Sequence, residues 1–268
     1  KLTIMKKLSL MFLLTFTLFL ACSKDSNESS TLKIDKTANL KGPGDSDNDI
    51  LSDAKFKNML IEIAYVSGYA PTESAVSNFT ALLNQRIYKD DISIIYKELA
   101  SPKKDSLTIG EIADLEKENR TVYNNGETLG LYIYFTDATA SDDNPDEDLV
   151  TLGAVYRNTS MVIYEATIRN LASKSSLIST STVETATLNH EAGHLFGLVN
   201  LGTGENVDKS VNDHEDPDAK SHCTEQNCLM RAELQFGWGM AKMLTAKNGA
   251  IPSFGPECLL DLQSNGGR

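Results

Sequence analysis

The pentapeptide His190-Glu191-Ala192-Gly193-His194 is the part of the chain most obviously equipped for chemistry. On an α-helix, residues four apart lie on one face, so its two imidazoles can close on a single zinc ion. Glu191, beside the first histidine, can reach a water on such an ion and take its proton. A metal that lowers the pKa of that water towards ~7 makes a carboxylate an adequate base at neutral pH. The chain has four histidines in 268 residues, and two of them fall here, which argues against an accident of composition. The plain alternative is a solvated helix with incidental His and Glu.

Three residues beyond His194 stands Gly197, a residue suited to a left-handed helix stop that turns the chain under a metal. A third ligand is then needed. Position 200 is Asn200, whose amide oxygen is a poor zinc ligand. Further on, His222-Cys223-Thr224-Glu225-Gln226-Asn227-Cys228-Leu229-Met230 reads HC-x4-C-x-M. The stretch between offers His214, Asp208, Asp213, Glu215, Asp216 and Asp218.

HExxHxxG with a third ligand to follow resembles the metzincin clan of zinc peptidases, whose signature is HExxHxxGxxH. The HC-x4-C-x-M string is similar to the archaemetzincin branch, where it follows at once and its His is the third ligand. In this chain 21 residues, 201–221, stand between the two halves. The layout, with Gly197-Leu198-Val199-Asn200 and the later Cys-Leu-Met, also resembles bacterial lipoproteins known as membrane-associated metalloproteases. The resemblance is specific across 181–230.

That resemblance implies a metzincin-like α/β (α+β) domain: a mixed twisted sheet, an active-site helix, and a C-terminal helix after a Met-turn. It implies a zinc-dependent endopeptidase with Glu191 as general base. His190, His194 and His222 are the expected ligands; His214 is the next choice for the third, and an Asp, Glu or Asn of the intervening stretch follows. Met230 takes the Met-turn place, although a Met after Leu229 also reads as a core filler. Arg231 stands where many metzincins carry an oxyanion-stabilising Tyr. In archaemetzincins the CxxxxC pair joins two later cysteines in a second zinc site. Only Cys258 lies downstream here, so a four-cysteine site cannot form, and a Cys223–Cys228 disulfide is expected outside the cytoplasm. Residues 151–157 match the edge strand that holds an extended peptide by main-chain hydrogen bonds.

Strands and helices must position these residues. The patterns predict strands at 59–66, 92–99, 129–135, 149–157 and 161–168, the last two joined by a turn at Asn158-Thr159-Ser160. Helices are expected at 71–88, with Pro71 at its start, and at 109–119. A Ser181-x-x-Glu184 capping box predicts that the HExxH helix begins near Thr182. A later helix, 232–246, should turn Leu234, Phe236, Trp238 and Met243 inward. Strands interleaved with helices suggest one mixed α/β sheet.

The N-terminus reads as an address. Lys6 and Lys7 precede a 14-residue apolar run, 8–21, shorter than the ~20 residues of a membrane-spanning helix. Its end, Leu18-Phe19-Leu20-Ala21-Cys22, resembles a bacterial lipoprotein signal. The expected organisation is a signal peptide at 1–21, lipid on Cys22, a flexible tether at 22–50, and a metallopeptidase domain at 51–268. Asp45, Asp47 and Asp49 mimic a calcium loop but lack its sixth-position Gly and twelfth-position Glu, so they read as solvated linker. Such a protein would sit in the bacterial envelope as an outer-membrane lipoprotein, held by its lipid and acting on peptide or protein. With 41% hydrophobic and 23% charged residues the chain is not wholly disordered. A net charge of −12 repels phosphate backbones and argues against nucleic acid. The same residues admit two rival readings: an inactive envelope lipoprotein keeping the fold as a binding module, and a gluzincin-type site using Glu215.

Overall fold

The computed structural model describes residues 35–147, 149–201 and 214–268. The expected signal segment, Cys22, and the stretch carrying Asp208 and Asp213 lie outside the described residues. In chain order the elements are α1 (Asp47–Leu51), β1 (Asn58–Val66), α2 (Glu73–Arg86), β2 (Asp91–Leu99), β3 (Ser106–Leu107) and α3 (Ile109–Asn119). There follow β4 (Thr128–Thr136), β5 (Thr139–Ala140), β6 (Gly153–Arg157), β7 (Ser160–Tyr164), α4 (Glu165–Ser173), α5 (Thr180–Leu195), α6 (Gly237–Ala246) and α7 (Pro256–Ser264).

Five strands form one sheet in the order β2-β1-β4-β7-β6. The first four are parallel, and β6 runs antiparallel to β7 at the edge. The central strands read as near-continuous apolar runs because both sheet faces are covered. Met59, Ile61, Ile63, Leu131, Ile133 and Ile163 face one core, which α2 and α5 complete with Phe79, Leu83, Val183 and Leu188. Ala64, Val66, Tyr132, Tyr134, Val162 and Tyr164 face the other, beneath Ile112 of α3. This is the mixed α/β architecture expected from the sequence.

Several boundaries differ from expectation. Residues 37–51 are not tether but packed structure: a 3-10 turn at Thr37–Asn39 and then α1. Buried Asn39 donates from Nδ2 to Asn124 Oδ1 and Thr159 Oγ1, both at 2.9 Å, and Asn158 Nδ2 donates to buried Ser46 at 2.7 Å. Polar side chains tie this segment down, so it has no apolar period to read. The strand expected at 161–168 stops at Tyr164, and Glu165 opens α4, whose Ile168 and Leu171 continue the same core. The helix expected at 232–246 is split into a 3-10 turn at Ala232–Leu234 and α6. Trp238 on α6 points outward, 60% exposed, rather than into the core.

Candidate metal centre

Helix α5 begins two residues earlier than the capping box implied. Ser179 is its N-cap and accepts the Thr182 amide hydrogen at 3.1 Å. Glu184 does not reach back to Ser181; it is buried and accepts the Thr72 amide hydrogen at 3.1 Å, tying α5 to the start of α2. From Val183 to Leu195 every residue of α5 is buried, polar ones included. At its end the amide of Gly197 bonds the His194 carbonyl and that of Leu198 bonds the Gly193 carbonyl, with Gly197 at φ +73°. This left-handed stop is the one the sequence foretold, and it reverses the chain directly beneath the motif.

His190, His194 and His222 converge. Their ring centroids lie 4.8, 5.2 and 5.3 Å apart, and all three are buried. His190 donates from Nδ1 to the Leu229 carbonyl at 2.8 Å, and His222 donates from Nδ1 to the Lys220 carbonyl at 2.9 Å. Both bonds leave Nε2 as the lone-pair nitrogen facing the centre. Burial lowers the pKa of all three; that of His190 falls to about 3, with His222 adding to the effect. Neutral imidazoles are the form a metal takes.

The donors fit a zinc ion. The Nε2 atoms of His190 and His194 are 3.2 Å apart. Two nitrogens bound at ~2.05 Å to a tetrahedral ion stand about 3.3 Å apart. Nε2 of His222 is buried with no hydrogen-bond partner among the described residues. Unpaired buried polar atoms are costly, and a cation between these three would satisfy them.

Glu191 is buried, with the Val155 amide of β6 near its carboxylate but no well-formed hydrogen bond to either oxygen among the described residues. Burial pushes its carboxyl up to about 8. It lies against Gly153 at the start of β6: a Cβ there would come within 2.9 Å of Glu191 Cγ and 3.0 Å of Oε1. Gly153 therefore lets the edge strand pass directly over the carboxylate. The sequence reading missed this glycine, whose only signal was a Gly inside a strand pattern.

Met230 is fully buried under the helix. A Cβ on Gly193 would fall inside its Sδ, so the Gly between the two histidines exists to admit this methionine. Met230 thus fills the core beneath the motif helix. Asn200, at φ 64°, turns its amide to Glu215 at 3.4 Å, and Glu215 accepts the Ser221 amide hydrogen at 2.8 Å. Arg231 turns away to Glu233 and the Thr224 carbonyl.

His214 stands elsewhere, in a second cluster. Its Nδ1 faces Cys223 Sγ at 3.2 Å and its Nε2 meets Asp261 Oδ2 at 2.8 Å. Cys223, Cys228 and Cys258 are free and buried, so the expected Cys223–Cys228 disulfide is absent. Cys228 and Cys258 have sulfurs 3.5 Å apart, too far for a disulfide bond. Hydrogen bonds from Cys228 and Cys258 hold the Cys223 thiol far below its usual range, while Asp261 and Cys223 hold His214 up at about 10. His214, Cys223 and Cys258 offer ligand atoms to one point, and Cys223, Glu225 and Cys228 to an adjoining one. The cysteine count alone does not reveal this cluster, because it is α7 that brings Cys258 and Asp261 to it.

Fold and histidine cluster together define a zincin-like α/β domain. Among solved structures, archaemetzincin from Methanopyrus kandleri is similar, with a TM-score of 0.50 and 16% identity, over 78% of this chain and 96% of that one. At that identity the likeness establishes the fold. No family model matches the chain, and no curated protein does.

Proposed function

We propose that the protein is a zinc-dependent endopeptidase, with His190, His194 and His222 holding the ion. The observation that carries this is the convergence of three buried neutral imidazoles, two of them on the helix that also carries the buried carboxylate of Glu191. Zinc, when bound, polarises a carbonyl and lowers the pKa of water. Glu191 accepts a proton at its carboxylate and returns it to the leaving amine, a task for which a carboxyl held near neutrality is suited. The free edge of β6 aligns an extended peptide across Glu191 by main-chain hydrogen bonds, and Met230 holds the floor. The test is metal content together with cleavage of a denatured protein. Stoichiometric zinc without Glu191-dependent cleavage would favour the inactive binding module instead.

A second, structural zinc is supported by the thiol cluster, with His214, Cys223 and Cys258 able to share one ion and Cys228 adjoining them. Asp261 on the far nitrogen of His214 is the carboxylate partner that orients many metal-bound imidazoles. Cys223 adjoins His222, and its amide donates to the Met230 carbonyl at 2.7 Å, so an ion here would brace the third ligand of the first site.

For location, the reading is a lipid on Cys22 tethering the domain to the bacterial outer membrane, supported by the residues at 8–22 alone. Among the described residues no helix is long and apolar enough to cross a membrane. Cys22→Ser should release the protein from the membrane fraction; retention would point to an uncleaved anchor.

A further inference from the structure

The third imidazole of the cluster is carried by a closed loop, 214–224. The Thr224 amide donates to the His214 carbonyl at 2.9 Å and the Asp216 amide to the His222 carbonyl at 2.7 Å, with an antiparallel bridge between Glu215 and Cys223. Inside the loop the His222 amide donates to the Ala219 carbonyl at 3.2 Å, and its Nδ1 to the Lys220 carbonyl at 2.9 Å. Ser221, the residue before His222, has a φ of 64°. A serine keeps that left-handed conformation only where its surroundings hold it there.

What holds it is Glu215, the ligand of the gluzincin-type rival, which stands outside the imidazole cluster. Its Oε1 accepts the Ser221 amide hydrogen at 2.8 Å. Its Oε2 accepts from Asn200 Nδ2 and from Lys220 Nζ, each at 3.4 Å. Lys220 faces solvent, so that ion pair adds little. Asn200 is different, because the chain is fixed where it leaves α5. Buried Val199 and Asn200 follow the Gly197 stop at φ 59° and 64°, and a β-branched residue in that region is held by its packing. One carboxylate therefore joins the exit of the motif helix to the turn before His222. It does so across the 21 residues, 201–221, that separate Asn200 from His222. Without such a tie, closing a loop of that length onto a single ligand geometry costs chain entropy each time the site forms.

We infer that Glu215 is a positioning residue for the third metal ligand: its carboxylate holds the Ser221 turn that aims His222 and clasps that turn to Asn200 at the end of α5. The inference rests on the three-histidine metal reading. Glu215 acts through the Ser221 amide and touches no metal itself. Asn200, a poor zinc ligand by its chemistry, serves the same ligand at one remove by giving Glu215 a fixed point on the helix exit.

The test titrates zinc out of the full chain with a chelator, while cobalt charge-transfer absorption follows the cysteine cluster separately. Glu215→Ala removes both acceptors. It should weaken the ion at α5 by about 10–100-fold, the usual effect of losing a partner behind a ligand, and leave the thiolate absorption unchanged. Glu215→Gln keeps an oxygen for the Ser221 amide and should recover most of that loss. Asn200→Ala should weaken the same ion by a smaller factor than Glu215→Ala. A second measurement needs no metal: in the metal-free protein the Ser221 amide should exchange with solvent faster in Glu215→Ala than in wild type or Glu215→Gln. Equal zinc affinity in wild type and Glu215→Ala would overturn the inference, as would an unchanged exchange rate at Ser221. Failure of Glu215→Gln to recover affinity, or loss of the thiolate absorption together with the α5 ion in Glu215→Ala, would make Glu215 a general strut of the fold and overturn it as well. A wild type that holds no ion at α5 sinks the metal reading, and the exchange comparison still decides whether Glu215 holds the turn.

Discussion

His190 donates its Nδ1 hydrogen to the carbonyl oxygen of Leu229 at 2.8 Å, which joins the HExxH helix to the turn that carries Met230. The bond fixes the tautomer of this imidazole, and the next residue in the turn fills the gap beneath Gly193. His222 enters from the same segment. The carbonyl that orients His190, the methionine beneath Gly193 and the third imidazole of the cluster thus come from one short stretch packed on one helix.

Metal binding should follow that division. The wild-type protein is expected to hold about two zinc ions, measured by elemental analysis. His190→Ala, His194→Ala or His222→Ala should each remove the ion at α5 and leave the other. Cobalt substitution separates the two, because only the cysteine cluster gives thiolate charge-transfer absorption. His214→Ala should perturb that absorption and spare the α5 site. Loss of the α5 ion in His214→Ala, with retention in His222→Ala, would reverse the assignment of the third ligand.

Much of this was legible in residues and much was not. The motif helix, its glycine stop and the central strands follow local rules: i,i+4 spacing, a positive-φ glycine, and apolar runs between covered faces. His214 and Glu215 were as plausible as His222 on composition, and only the resemblance favoured His222. What separated them is tertiary: α7 brings Asp261 and Cys258 to His214, and no local pattern predicts that meeting. Trp238 misled because an indole usually goes inward, whereas here it borders an open cavity.

The Gly193–Met230 contact gives a stability prediction. Gly193→Ala should destabilise the fold by roughly 1–3 kcal/mol, the usual cost of overpacking, read from the denaturant midpoint. Met230→Ala alone should also destabilise, by cavity formation. Because the two act on one gap, the double variant should lose clearly less than the sum. Strict additivity would mean that Met230 does not pack against Gly193.

Glu165 should make stability fall with pH. Its carboxyl is fully buried, faces Glu184 from α5, and is met by Arg169 Nε at 2.6 Å, while Oε2 has no hydrogen-bond partner among the described residues. Burial, then Glu184, raises it from 4.5 to about 8. The folded state therefore keeps a proton that the unfolded chain has already lost, and folding weakens as pH climbs from about 4.5 to about 8. Glu165→Gln, which mimics the neutral form, should gain in Tm relative to wild type across that window. A difference that stays constant with pH would show that Glu165 is charged in the fold.

Glu191 decides whether the site does chemistry. It is buried on the helix that carries His190 and His194, yet its own oxygens do not enter the imidazole cluster, so it should move a proton and not hold metal. Glu191→Gln keeps the shape and removes the base. The variant should retain full zinc and an unchanged cobalt spectrum of the cysteine cluster, while peptide cleavage falls about 10²–10⁴-fold, the typical contribution of a general base. Because the loss concerns proton transfer, it should appear in kcat more than in KM. Loss of zinc in Glu191→Gln would make Glu191 a ligand, and the three-histidine assignment would then need one donor fewer. Equal cleavage in wild type and variant would assign the activity to a contaminant and leave the protein a metal-binding module.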